Sequence, residues 1–171
     1  LYARGRKSRP DAVNCLVMKT ERDLSIEASA ARILARAFWD DPFICYFFPD
    51  EAIRRARLNR FFALSWRATA PLGTCDRMPG NEAVAIWRPP ARWRIPQSVM
   101  LANAIDMARA YGLAFPRVLR CLKHMEAVHP AQPHWYLMTV GSDPAYRGQG
   151  QARSLLQARL SQCDCDGLPA Y

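Results

Sequence analysis

The chain has 171 residues, of which 50% are hydrophobic, and a formal net charge of +9. This length and composition predict one domain with a single core, and no uncharged run is long enough to cross a membrane, so we expect no membrane partner. The positive charge suits an anionic ligand, but it is spread along the chain, and the most arginine-rich stretch is expected to form the solvated face of a helix (Arg54, Arg55, Arg57 and Arg60).

The first residues differ in character from the rest. Residues 1–11 are polar and basic, without an apolar period. We therefore expect residues 1–15 to be a basic leader that is disordered or not part of the domain, and the domain to occupy residues 16–171. Its first strand is predicted from Cys15 to Thr20.

The cysteines indicate the compartment. Cys163 and Cys165 are one residue apart, which is neither a zinc nor a redox spacing, and the other four cysteines are scattered. The apolar stretch 13–18 is too short for the core of a signal peptide. We therefore expect buried free thiols, no metal site and a cytoplasmic protein.

Two amphipathic helices are predicted next. Asp23 or Ser25 can cap the first, and Asp41-Pro42 ends it. Asp50 can cap the second. Apolar residues recur at helical spacing in both: Ala30, Ile33, Leu34, Ala37 and Phe38 in the first, and Leu58, Phe61, Phe62 and Trp66 in the second.

The middle of the chain predicts a β-hairpin followed by two helices. Residues 74–77 and 82–88 have the pattern of short strands, and Pro79-Gly80-Asn81 lies between them as a turn. Helical stretches follow near 97–111 and 115–128. This mixture of helices and strands predicts an α/β protein of the α+β type with a mixed sheet.

The segment 134–163 is the most informative part of the sequence. It predicts a strand near 134–141, a break at Asp143-Pro144, a turn with Gly148 and Gly150, and a helix near 148–163. The first N–H groups of a helix have no internal partner, and the helix dipole places partial positive charge there. Glycines let a phosphate approach the backbone closely. The segment therefore predicts a phosphate-binding turn.

Two common phosphate-binding motifs do not fit this turn. A P-loop requires Gly-Lys-Ser/Thr, which is not present, and a dinucleotide fingerprint requires Gly or Ala where Arg153 stands. The residues instead match Arg/Gln-x-x-Gly-x-Gly/Ala from Arg147 to Ala152. With the preceding strand 135–142, this segment resembles motif A of the GCN5-related N-acetyltransferases, which bind acetyl-CoA.

The resemblance covers about residues 16–171 and is greatest to the bacterial branch that includes puromycin N-acetyltransferase, whose Met-Glu and His-Pro pairs match Met125-Glu126 and His129-Pro130. It implies the acyl-CoA N-acyltransferase fold with acetyl-CoA as co-substrate. In the family the fifth strand begins at about residue 167. The resemblance therefore implies a chain that lacks the last strands and helix, whose open strand edge would promote self-association.

The resemblance also implies which residues contact acetyl-CoA. The amide chain of pantetheine can pair with the strand backbone at Val140, Gly141 and Ser142. In the family this strand splays at a bulge, to which Gly141 is well suited. The pyrophosphate would lie on the turn and the helix start, formed by Arg147, Gly148, Gln149, Gly150, Gln151, Ala152 and Arg153. For Arg147 a diphosphate would compensate for a positive charge at a helix N-terminus.

Acetyl transfer to an amine also requires a general base and a general acid. Glu126 is the candidate base, because it matches the Met-Glu pair of the branch, although an exposed helix carboxylate is the alternative. The family's usual acid lies after the fifth strand, so we expect no general acid within this chain. His124, His129 and His134 are five residues apart, which does not place them on one helix face, so we interpret them as surface or hinge histidines.

The acceptor is expected to be a primary amine of a small molecule. An aromatic cluster between the first two helices could line its cleft, although core packing explains the same residues (Trp39, Phe43, Tyr46, Phe47 and Phe48). Two alternatives remain open at this point. One is a non-catalytic or vestigial acyl-CoA-binding domain, and the other is a basic nucleic-acid-binding module, although we do not expect a nucleic-acid partner.

Overall fold

A computed structural model describes residues 21–171, and helices cover both faces of a small antiparallel sheet in this part of the chain. The leader 1–15 and the strand predicted from Cys15 to Thr20 lie outside the described residues. The described elements, in chain order, are α1 (Glu21–Ala37), α2 (Pro42–Phe47), α3 (Glu51–Thr69), β1 (Cys75–Arg77), β2 (Ala83–Arg88), α4 (Gln97–Ala102), α5 (Ala104–Tyr111), α6 (Phe115–Ala127), β3 (Tyr136–Ser142) and α7 (Gln151–Asp166).

Strand β2 is the centre of the sheet. It pairs with β1 and β3 in antiparallel fashion, and every one of its residues is buried. Its run Ala-Val-Ala-Ile-Trp is apolar at consecutive positions because both faces of the strand are covered. Val84 and Ile86 face the core formed with α1 and α3, whereas Ala83, Ala85 and Trp87 face α7.

The outer edge of β3 is paired near its beginning. Trp135 forms a parallel bridge with Ala170, and the Leu137 N–H donates to the Tyr171 carbonyl at 2.8 Å. Residues 169–171 therefore run beside β3 in the parallel direction, where the family resemblance predicts the fifth strand to begin.

The cap predicted for the first helix at Asp23 or Ser25 is wrong, because both residues lie inside α1. The cap predicted for α3 is confirmed, and the helices differ from the prediction at two further places. Asp50 caps α3 by accepting from the Ala52 N–H at 2.9 Å. Asp41, expected to end the first helix, also begins the short helix α2, because it accepts from the N–H groups of Phe43 and Ile44. The helix predicted near 97–111 is divided at Asn103, whose side-chain amide donates to the Val99 carbonyl.

The expectation of a solvated arginine face on α3 is wrong at Arg54. This side chain is buried and donates to the carbonyls of Phe48 and Pro49 at 2.7 and 2.8 Å. Arg57 likewise donates to the Ala110 carbonyl. These two arginines hold neighbouring segments against α3 because a planar guanidinium can serve several carbonyl acceptors at once.

The cysteines of the described part are free thiols, as expected. The expected burial is confirmed for Cys163 alone, since Cys45, Cys75 and Cys121 are half-buried and Cys165 is exposed. In the part of the chain that the structure describes, no helix is long and apolar enough to span a membrane.

Candidate functional site

The loop after β3 is held in place by Asp143. Its carboxylate accepts from the Ala145 N–H at 3.0 Å and lies 3.2 Å from the Arg36 guanidinium. Its own N–H donates to the Glu82 carbonyl at 2.8 Å. A tight turn from Pro144 to Tyr146 follows, and the chain then enters the glycine segment. The Asp-Pro pair predicted to be a break is therefore an anchor that fixes where the glycine segment begins.

The glycine segment has an open backbone. Gly148 and Gly150 have φ angles of +79° and +77°, a region that favours glycine. Apart from the residues next to it in the chain, no described atom lies within 4 Å of the position that a Cβ would take at either glycine. These two positive φ angles also explain why α7 begins at Gln151 and not near residue 148, as the sequence predicted.

The N-terminus of α7 points its backbone donors into a cavity. Gly150 is the N-cap, and no described side chain accepts from the first N–H groups of the helix. The adjoining cavity has a volume of about 380 Å³ and is lined by Ser142, Tyr146, Gly148, Gly150, Gln151, Ala152 and Arg153. Free N–H groups, the positive end of the helix dipole and open space together suit the binding of an anion, so we call this space the anion-binding cavity.

Arg147 turns its side chain away from this cavity. Its guanidinium donates to the Ala37 carbonyl at the end of α1 at 2.9 Å, and it lines a separate cavity with Arg36 and Trp39. A cation at a helix C-terminus is favourable, so the side chain has a structural partner. Arg147 is therefore near the anion-binding cavity through its backbone, which lies immediately before Gly148, and not through its guanidinium.

The second half of β3 directs backbone groups to its outer edge. The Asp143 N–H donates to the Glu82 carbonyl, and the register pairs Gly141 with Val84. Because hydrogen-bonded pairs alternate in antiparallel strands, Gly141 bonds to β2, whereas the N–H groups of Val140 and Ser142 point to the other edge. The predicted backbone contacts of Val140 and Ser142 therefore have a suitable geometry, and that of Gly141 does not.

The bulge predicted at Gly141 lies elsewhere. Ile86 is opposite Thr139 and Trp87 is opposite Leu137, so Met138 is the extra residue. Gly141 has a different role. A Cβ there would lie 2.8 Å from the Ala37 Cβ, so the glycine allows α1 to pack closely against the strand.

Glu126, the predicted base, lies near the end of α6 with its side chain 49% exposed. Its carboxylate accepts from the Arg94 Nε at 2.8 Å. This carboxylate is therefore half-exposed and already engaged by the Arg94 guanidinium.

The histidines differ from the expectation of separate surface or hinge residues. The Nε2 atoms of His129 and His134 lie 2.9 Å apart, and His134 is buried. The His129 ring stacks on Trp93 at a centroid distance of 3.7 Å. It also contacts the rings of Tyr136 and Tyr171 edge to face. We call these five residues the histidine cluster. The five-residue spacing did not predict this cluster, because that interpretation assumed a helix and the segment between His129 and His134 is a loop.

A buried arginine positions one side of the histidine cluster. Arg88 of β2 donates to the carbonyls of Arg92 and Arg94 at 3.0 and 3.1 Å. It also bonds to Ala68 and Thr69 at the end of α3, and burial lowers the pKa of its guanidinium. The segment that carries Trp93 is therefore fixed by the core of the sheet.

The aromatic residues expected to line an acceptor cleft divide into two groups. Phe47 and Phe48 are buried in the core with α1 and α3, whereas Phe43 and Tyr46 are exposed. Trp39 lies beneath the guanidinium groups of Arg54 and Arg55. In residues 21–171, no group of three or more His, Cys, Asp or Glu side chains could hold a metal ion.

Comparisons with known proteins give a structural neighbour. No protein-family model matches the sequence, and no curated protein matches it. A solved structure from Corynebacterium glutamicum, described as histone acetyltransferase HPA2 and related acetyltransferase, superposes with a TM-score of 0.57 and 22% sequence identity. The match covers 85% of this chain and 68% of that one. The likeness shows that this chain has the α/β fold of that structure, as the sequence predicted.

Proposed function

We propose that the chain binds acetyl-CoA and transfers its acetyl group to the primary amine of a small molecule. The observation that carries this proposal is the continuity of two features. The open backbone at Gly148 and Gly150 leads into the uncapped start of α7. The outward N–H groups of Val140 and Ser142, which have no partner in β2, lie just before it. The acetyltransferase fold supports the same function.

Each part of the site suits one part of acetyl-CoA. The N–H groups of Gln151, Ala152 and Arg153, with the α7 dipole, would hold the pyrophosphate. The outer edge of β3 would pair with the amide groups of pantetheine as an added strand would. The thioester carbonyl would then lie near the bulge at Met138, where a strand N–H can polarise it. A thioester is already activated, so holding it in this position supplies much of the catalysis.

A direct test is acetyl transfer by the purified chain. Acetyl-CoA would be incubated with a panel of primary amines that includes an aromatic amine, a polyamine and puromycin, the last because of the branch that the sequence resembles. Release of the CoA thiol and acetylation of the amine, seen by mass spectrometry, would be measured together. Amine-dependent release of thiol supports the proposal, and the amine with the highest kcat/KM identifies the acceptor class.

The same experiment separates the two alternatives. A non-catalytic acyl-CoA-binding domain is a serious alternative because Glu126, the predicted base, is half-exposed and paired with Arg94. Binding of acetyl-CoA without transfer to any amine of the panel would favour that domain. A nucleic-acid-binding module is less well supported, because Arg54 and Arg57 donate to protein carbonyls and do not form a free basic surface.

We also propose that the chain associates with a second copy of itself. Several large apolar side chains of α4 to α6 and the turns beside them are exposed, notably Leu101, Ile105 and Leu113 at 77%, 69% and 95%. Exposed apolar side chains of this size favour contact with a second copy. Sedimentation velocity over a range of concentrations tests it. A single monomeric species at all concentrations contradicts self-association without affecting the proposed activity.

A further inference from the structure

We propose that His129 is the general base that takes the proton of the amine, and that His134 holds His129 in the tautomer that makes this possible. The inference rests on the proposed function and assigns a residue for its proton-transfer step. It replaces Glu126, the base predicted from the sequence, with a group whose hydrogen bonds leave one nitrogen free to accept a proton.

The hydrogen bonds fix the tautomers of both rings. His134 Nδ1 lies 2.7 Å from the Gln132 carbonyl, which can only accept, so Nδ1 carries the hydrogen. In neutral His134 the Nε2 atom is then an acceptor. His129 Nε2, 2.9 Å away, must donate to it. The Nδ1 atom of neutral His129 is left with a free lone pair on a ring that is partly exposed.

The position of His129 suits a base for acyl transfer. Its ring lies 4.9 Å from the Tyr136 ring and 5.3 Å from the Tyr171 ring. The N–H of Leu137, which follows Tyr136, donates to the Tyr171 carbonyl on the outer edge of β3. The bulge at Met138 comes next. His129 therefore lies beside the place where the paired part of the edge ends and the open part, proposed for pantetheine, begins.

The surroundings of His129 favour its neutral form. Burial lowers the pKa of the imidazole, and the neighbouring His134 and Arg94 lower it further, whereas Glu126 has an opposing effect. Tyr136 and Tyr171 are the other titratable groups in ring contact with it. Burial and the neighbouring Tyr171 raise the pKa of Tyr136, so that side chain stays uncharged. His129 is therefore unprotonated near neutral pH and can accept a proton there.

In the proposed step the acetyl group moves to the amine while His129 carries the proton that the amine loses. The amine nitrogen forms a bond to the acetyl carbon, and its proton moves to Nδ1 of His129. The carbon–sulfur bond breaks, and its electron pair leaves with the thiolate of CoA. The imidazolium then returns the proton through water to the thiolate. Stacking on the Trp93 ring stabilises the imidazolium while it carries the charge.

The test compares four variants in the acetyl-transfer assay. His129→Gln removes the base, and we expect kcat to fall about a hundredfold or more, a common loss when a general base is removed. His134→Leu removes the acceptor that fixes the His129 tautomer, whereas the amide oxygen in His134→Gln can replace it. We expect a clear loss of kcat/KM in His134→Leu and a small loss in His134→Gln. His124→Gln on the exposed surface of α6 is the matched control.

The pH profile and the ring tautomers distinguish catalysis from structure. In the parent chain kcat/KM should rise with pH through an apparent pKa below that of a free histidine, and this limb should be missing in His129→Gln. Added imidazole should partly rescue His129→Ala. Nitrogen NMR of the imidazoles at neutral pH should show a proton on Nε2 but not on Nδ1 of His129.

The outcomes separate this inference from the proposed function. Transfer by the parent chain with an unchanged rate and pH profile in His129→Gln overturns the inference alone. A proton on Nδ1 of neutral His129 also overturns it, whether or not any amine is acetylated. If the parent chain acetylates no amine, the proposed function fails, and the base role fails with it.

Discussion

The Arg147 guanidinium donates a hydrogen bond of 2.9 Å to the Ala37 carbonyl and so joins the start of the glycine segment to the end of α1. The residue that begins the anion-binding loop is thus held by the helix that packs against β3. The last carbonyls of a helix carry partial negative charge, which attracts the guanidinium. The loop is therefore fixed to the end of α1 at two points, by Arg147 on the Ala37 carbonyl and by Asp143 on the Arg36 guanidinium.

Arg147 and Arg153 should differ in what they contribute. Replacing Arg147 by Met should lower stability by about 0.3–1 kcal/mol, the usual effect of a charge at a helix end, and should weaken acetyl-CoA binding only moderately. Arg153→Met removes a positive charge from the first turn of α7, so it should raise stability slightly or leave it unchanged. It should weaken binding more, because Arg153 lines the anion-binding cavity. Thermal unfolding and calorimetric titration check both. Equal effects of the two variants on binding would contradict this division.

Gly141→Ala should destabilise the fold. The added Cβ would lie 2.8 Å from the Ala37 Cβ, and neither atom can rotate away. Overpacking of this kind costs about 1–3 kcal/mol, which for a chain of this size lowers Tm by roughly 2–10 °C. In an Ala37→Gly background the same substitution should cost less. A cost that is independent of Ala37 would mean that the close approach of α1 is not the cause.

The cysteines of the described part should react with a thiol reagent in a definite order. Cys165 is exposed and should be labelled first. Burial raises the pKa of Cys75 to about 12 and also raises that of Cys163, so both stay as thiols at pH 8 and react slowly. Time-resolved labelling followed by peptide mass spectrometry checks the order. Labelling of Cys75 as fast as Cys165 would show that the region around β1 opens.

Local patterns predicted much of the fold. Asp50 identified the start of α3, and the apolar runs identified β2 and β3. Both could be predicted because a helix cap and a buried strand depend on residues that are consecutive in the sequence. The division of one helix at Asn103 and the short helix α2 were not predicted. Both depend on how a side chain bonds to the backbone beside it, and the same residue types occur in turns as well.

The open backbone of the candidate site could be predicted from the sequence, whereas the side-chain contacts between distant residues could not. Gly148 and Gly150 follow from the sequence, because a turn that exposes its backbone needs glycine. The bulge at Met138 does not, because it is a property of the pairing with β2. The contact between His129 and His134 also depends on a loop path that no periodicity describes. The available signal was the presence of two histidines, His129 and His134, shortly before β3.

The central claim is that the start of α7 binds the pyrophosphate of acetyl-CoA, and Gln151→Glu tests it most directly by calorimetric titration. A carboxylate in the first turn should stabilise α7 by about 0.3–1 kcal/mol, so Tm should rise or stay the same. The same carboxylate repels a pyrophosphate, and we expect affinity to fall about tenfold or more, a change of roughly 1.4 kcal/mol. Gln157→Glu, about 9 Å further along the helix, adds the same charge on an exposed position and should bind as the parent does. A folded Gln151→Glu variant that binds acetyl-CoA as tightly as Gln157→Glu would contradict the account.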